Sequence, residues 1–128
     1  DIKTQIAAID TLLARYSSPV VQGTYKAIRA MLVKDYKTAH EAAATIPNIA
    51  MKNYSLALIE ATIGKKHHIA GYTLAKPWMK SAIEALVSYR EGDLTNYELH
   101  KNASLDQTSG IQYFANYYFF KRIQEYVN

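Results

Sequence analysis

The residues best suited to chemistry stand together in the stretch Gly64-Lys65-Lys66-His67-His68-Ile69-Ala70-Gly71-Tyr72. Two ammonium groups beside two imidazoles would suit a metal ion, a phosphate or an acidic partner. The spacing argues against the metal. His67 and His68 are neighbours, so on a helix they point about 100° apart and do not chelate one ion as an i, i+4 pair does. A site would need His40 with Glu41, or Glu98 with His100, to arrive from another helix, and no pair of histidines flanks a glutamate in the zincin spacing. There is no Gly-x-Ser-x-Gly elbow and no glycine loop fit to cradle a phosphate. Carboxylates total 11, and most stand where capping or a surface pair accounts for them: Asp1, Asp35 and Asp93 as caps, Glu84 beside Lys80. The expectation is a chain that is not an enzyme, with no catalytic residues, no cofactor and no metal ligands. The stretch itself reads as an elbow. Gly64 ends one helix, Gly71 interrupts any continuation, and Pro77 starts the next, leaving Lys65 and Lys66 where positive charge favours a helix C-terminus. Its remaining use is as a basic rim that meets an acidic partner.

The elements that would carry these residues are helices throughout. Ile2, Ile6, Ile9, Leu13 and Tyr16 recur at helical spacing behind Asp1. Ser18-Pro19 supplies a cap and a first-turn proline for a second helix carrying Val21, Tyr25, Ile28 and Leu32. Asp35 caps a third, which Pro47 ends, and a fourth runs to Gly64. Pro77 opens a fifth, with Trp78, Ala82, Leu86 and Tyr89 on one face, closed by Gly92; Asp93 caps a sixth through Ala103, and Ser104–Gly110 form a loop. The seventh is Ile111–Asn128, taken as one helix. No alternating run is long enough for a sheet. The expected fold is all-α, about seven helices stacked as antiparallel hairpins in a single domain spanning 1–128.

Composition narrows the partners. At 49% hydrophobic and 20% charged residues the chain is globular rather than disordered. A net charge of +4, scattered apart from Lys65-Lys66, falls short of the basic face typical of nucleic-acid modules. No apolar run reaches the length of a membrane span. The absence of cysteine rules out disulfides and thiolate sites and fits a cytoplasmic location. Tyrosine, with 11 copies, is the outlier, and suits surfaces that are partly wet and partly buried. The last helix is nearly apolar all round: between Ile111 and Phe120 only Gln112 and Asn116 are polar, four apart on one stripe. Such a helix either inserts among the others or leaves rings for a second chain, a homodimer included.

Two segments echo each other. Lys26–Ala43 and Ser81–Ala103 each begin Ala-Ile-x-Ala, turn at an Asp, and enter a second helix. On Gly92-Asp93-Leu94, and on Lys34-Asp35-Tyr36 followed by Ala39, the chain resembles tetratricopeptide-type helical hairpins. It departs from that pattern in having Tyr97 where a small residue is expected, Pro47 early, and copies more than 50 residues apart instead of 34. The order Trp78, Ala82-Ile83-x-Ala85-Leu86, Gly92-Asp93 and an aromatic last helix is similar to the small helical immunity proteins that bacteria pair with polymorphic toxins. These resemblances imply an α-hairpin stack that binds a protein, in the second case a bacterial inhibitor that blocks a toxin domain by occlusion.

The expected function is therefore non-catalytic protein binding. Lys65, Lys66, His67, His68 and Tyr72 would form the rim, and Trp78, Tyr113 and Tyr117 the aromatic anchors. Two alternatives stay open. One is a peptide-sensing or scaffold domain of a larger regulator. The other is a nucleic-acid-binding helical domain using Lys65-Lys66 beside Tyr72 and Lys76.

Overall fold

The computed structural model describes residues 1–65, 69 and 71–127, and these are all-α. The described helices are α1 (Ile2–Arg15), α2 (Pro19–Leu32), α3 (Tyr36–Ala44), α4 (Ile49–Thr62), α5 (Pro77–Arg90), α6 (Leu94–Asp106), α7 (Gly110–Lys121) and α8 (Ile123–Tyr126). Local chemistry sets most of the boundaries. Carboxylates of Asp1, Asp35 and Asp93 accept from the backbone N–H of Thr4, Thr38 and Asn96, and Asn48 does the same for Met51. Pro19 and Pro77 occupy first helical positions, although Ser18 makes no side-chain cap bond.

The two echoing turns have the same backbone geometry. Lys34 and Gly92 take left-handed φ values of 60° and 78°, and the following Asp35 and Asp93 match within a few degrees at φ −91°, ψ 76° and φ −86°, ψ 79°. In both, the Asp N–H returns to a carbonyl five residues back, Ala30 and Ser88, at 2.9 Å. One turn reaches this conformation with lysine, the other with glycine. Gly92 has open space where a Cβ would go, so a side chain there meets conformational cost alone. Gly92→Lys is expected to lower stability by about 1 kcal/mol, the left-handed cost of an L-residue. An unchanged denaturant midpoint would show that the turn relaxes without strain.

Consecutive helices pack as antiparallel neighbours from α1 to α6, the α2/α3 and α5/α6 pairs most extensively. Alanines at the crossings let the backbones approach: Ala39 and Ala43 in α3, Ala82 and Ala85 in α5 are fully buried. Gly23 does the same in α2, where a Cβ would lie 2.5 Å from Ile46 Cγ1 and 3.1 Å from the Ala42 carbonyl. The chain then doubles back. Helix α7 returns across α2 and α6, and α8 touches α2.

Two expectations are corrected by these contacts. Ser104-Leu105-Asp106 belong to α6 rather than to the last loop, because Ser104 is buried and its hydroxyl donates to the Trp78 carbonyl at 2.9 Å. The last helix is two helices, interrupted at Arg122 (φ −114°, ψ 22°), whose Nε donates to Gln5 Oε1 at 2.7 Å. The described helices number eight, in keeping with the all-α stack of about seven expected.

The polar stripe of α7 points inward. Asn116 is 2% exposed, and its Oδ1 accepts from the Tyr54 hydroxyl (3.2 Å) and from Gln112 Nε2 (3.0 Å). Around it, Ala115, Phe119 and Phe120 enter the core, with Phe119 stacked on Tyr126 at 4.7 Å and Phe120 edge-on to Tyr97 at 6.2 Å. Three tyrosine hydroxyls hold the returning segment: Tyr25 donates to the Ile111 carbonyl (3.1 Å), Tyr54 to Asn116, and Tyr36 to the Tyr126 carbonyl (2.7 Å).

Candidate functional site

With one arc of α7 buried, helical periodicity turns the opposite arc outward. That arc carries Ile111 (37% exposed), Phe114 (51%) and Tyr117 (39%), with half-buried Tyr113 and Tyr118 along its edges. The rings are packed on one another. Tyr113 and Tyr117 stack one turn apart, with centroids 6.1 Å apart and planes 17° from parallel. Phe114 meets Tyr113 edge-on at 5.8 Å, and Tyr118 meets Tyr117 at 5.6 Å. Lys121, in the last turn of the same arc, places Nζ 5.8 Å from the Tyr117 ring centroid, a cation–π contact. An exposed aromatic surface of this kind on a monomer marks an interaction site more often than a lone exposed ring does.

Beside this arc runs a groove of about 390 Å³ between α1 and α7. Leu12, Tyr16, Ile111, Phe114 and Tyr118 give it an apolar lining, and Tyr25 closes its floor. Burial, followed by proximity to Tyr118, pushes the Tyr25 phenol up to about 12, so it stays a neutral donor to the Ile111 carbonyl at physiological pH. Arg15 is the one charged residue in the lining. It makes no ion pair among the described residues, whereas Asp10, elsewhere on α1, is held by Arg29 at 2.8 and 3.3 Å. That guanidinium keeps the Asp10 carboxyl below its ordinary range.

Among the described residues, the anticipated site residues do not converge. Tyr113 and Tyr117 lie on the outward arc of α7. Trp78 does not join them: it is 8% exposed, edge-on to Tyr54 at 5.0 Å, and its ring belongs to the core. The spacing Trp78, Ala82, Leu86 puts all three on the buried face of α5. Tyr72 is half-buried against the core, where burial raises its phenol. Lys65 is exposed just past α4, its N–H bonded to the Glu60 carbonyl (2.8 Å) after Gly64 at φ +84°, as an elbow requires. The Arg90 guanidinium lies close by, its Nη2 2.8 Å from where a Cβ at position 64 would stand, but that flexible end can shift, so the left-handed φ is what favours glycine. Lys66, His67 and His68 lie outside the described residues.

Ile111, Phe114, Tyr118, Tyr16 and Arg15 were missed. Their signal was available in part: Ile111, Phe114 and Tyr118 share one side of α7, at i, i+3 and i+7. Which side faces out was not readable, because it depends on the partner of Asn116. Among the described residues His100 pairs with Glu84 (3.3 Å) and His40 with Glu60 (3.9 Å). Among the described residues no three His, Asp or Glu side chains come together as a metal site would need, and no helix is long and apolar enough to cross a membrane. No protein-family model, curated protein or solved structure matches this chain.

Proposed function

We propose that this chain is a non-catalytic protein-binding domain whose partner docks on the outward arc of α7 and the adjoining groove against α1. The observation that carries this reading is the exposure of Phe114 and Tyr117 beside Ile111 and Tyr16 on a helix whose other face is anchored in the core. Rigid aromatic rings on a fixed helix give large contact area at low entropic cost, the property that makes Tyr and Phe frequent interface anchors. The resemblance to toxin-immunity proteins supports a narrower version, in which occupancy of this face occludes a partner's active surface.

A photoreactive residue installed at Tyr117, and at Leu99 as an exposed position on α6, tests the reading in the protein's natural host. One protein should cross-link from Tyr117 and not from Leu99, and its binding should fall at least tenfold in Phe114→Ser with the melting temperature unchanged. The purified partner should lose activity in proportion to bound chain if the role is inhibition, and retain it if the chain is a scaffold. Equal labelling from both positions, or none, sinks the proposal.

One observation favours a second reading. The Tyr113–Tyr117 stack capped by Lys121 also suits the bases and phosphates of a single strand. Binding of an oligothymidine that weakens steeply with salt would move the assignment there.

A further inference from the structure

The charges on this face select its occupant. Arg15 stands at the edge of the apolar groove without an ion pair among the described residues, and no carboxylate lines that groove. Lys121 lies on the same outward arc one turn beyond Tyr117. Asp10, the one acidic side chain of α1, is paired with Arg29 of α2 rather than with Arg15. Two copies docking through this face would therefore bring cations toward a groove with no carboxylate in its lining to answer them, an unfavourable juxtaposition. The groove volume of about 390 Å³ accommodates one or two large side chains rather than a flat protein surface.

We infer that the α1/α7 groove receives an acidic amphipathic segment of a partner protein, with one bulky apolar side chain seated between Tyr16 and Phe114 and a neighbouring Asp or Glu paired with Arg15. This rests on the protein-binding reading above and adds the chemistry of the partner. The aromatic seat supplies most of the affinity. The carboxylate sets orientation and speeds encounter. The Arg15 guanidinium receives it bidentately at the open end of the groove, where the pair remains partly hydrated and screens with salt.

Fluorescence anisotropy on the full chain tests this with three synthetic twelve-residue peptide sets, each built round a Trp, Phe or Leu anchor and flanked by Asp/Glu, by Ser or by Lys. The acidic set should bind at least tenfold more tightly than the neutral one. Arg15→Glu should abolish that preference, and Phe114→Ser should weaken every set that binds; both variants should melt like the parent. Arg15→Lys should keep a reduced preference, since charge survives and bidentate geometry does not. Equal binding of all three sets, lost in Phe114→Ser, would overturn the acidic partner while leaving the docking face standing. An acidic preference that survives in Arg15→Glu would place the electrostatics elsewhere and overturn the assignment. No binding by any peptide, or tighter binding of a twelve-nucleotide oligothymidine lost in Tyr117→Ser, would overturn both the inference and the protein-binding reading.

Discussion

A chain ending at Ser109 is expected to lose cooperative melting. The deletion removes Phe119, Phe120, Ile123 and Tyr126 from the core, all almost completely buried. Truncating a single buried Phe costs about 3–5 kcal/mol, and the whole stability of a domain this size is about 5–15 kcal/mol. The loss is more than hydrophobic. Tyr25, Tyr54 and Tyr36 would each lose the acceptor that α7 or α8 supplies. Each such bond contributes about 0.5–1.5 kcal/mol net. Calorimetry should show a broad, low-enthalpy transition or none. Phe119→Ala and Asn116→Leu probe the same dependence without deleting the helix. Asn116→Leu should be destabilising alone and largely restored by Tyr54→Phe, because the pair then leaves no orphaned hydroxyl. If the shortened chain melts like the full one, the returning helix is an appendage, and its inward face contributes little to folding.

The second large effect is at alkaline pH. Burial raises six phenols among the described residues above their ordinary value of 10, four of them strongly: Tyr25 and Tyr97 are pushed up to about 12, and Tyr54 and Tyr126 still higher. The folded state keeps these protons after the unfolded chain has released them. Stability from this source is therefore fully present below pH 10 and falls as the pH rises from there toward the folded values. Each such tyrosine contributes a slope of about 1.4 kcal/mol per pH unit, so four acting together exhaust an ordinary folding free energy between about pH 10 and 12. Helical dichroism should collapse in that window, and phenolate absorbance should rise in the same step. Tyr126→Phe sharpens the test. Its hydroxyl is buried without a hydrogen-bond partner, so removing it should stabilise the fold at neutral pH by about 1 kcal/mol and move the alkaline midpoint upward. Complete tyrosine ionisation near pH 10 with the helices intact would mean that these phenols reach water in the folded chain.

The candidate surface shows where sequence reasoning stopped. Tyr113 and Tyr117 were legible as candidates because a nearly apolar helix carries more rings than one buried face can hold. Phe114, Ile111, Tyr16 and Arg15 were not, since they become a site only once α7 lies against α1. Trp78 illustrates the converse: an aromatic at the first turn of a helix gives no sign of its depth until α4 and α6 are packed over it.

Local residue patterns specify the set of helices and most of their ends. Asp35 and Asp93 cap within three residues, Pro19 and Pro77 begin helices, and Gly64 and Gly92 end them in left-handed turns. These signals act over a few residues, so they are complete in the local sequence. The tertiary structure alone decided the continuation of α6 through Ser104, the break at Arg122, and the direction in which α7 faces. Ser104 answers to a carbonyl 26 residues away, Arg122 to a glutamine 117 residues away, and Asn116 to a tyrosine 62 residues away. Most buried polar groups are paired, and the partner stands wherever the fold supplies one. In α7 that partner is the Tyr54 hydroxyl, and pairing with it turns the polar stripe into the core and the aromatic rings toward solvent.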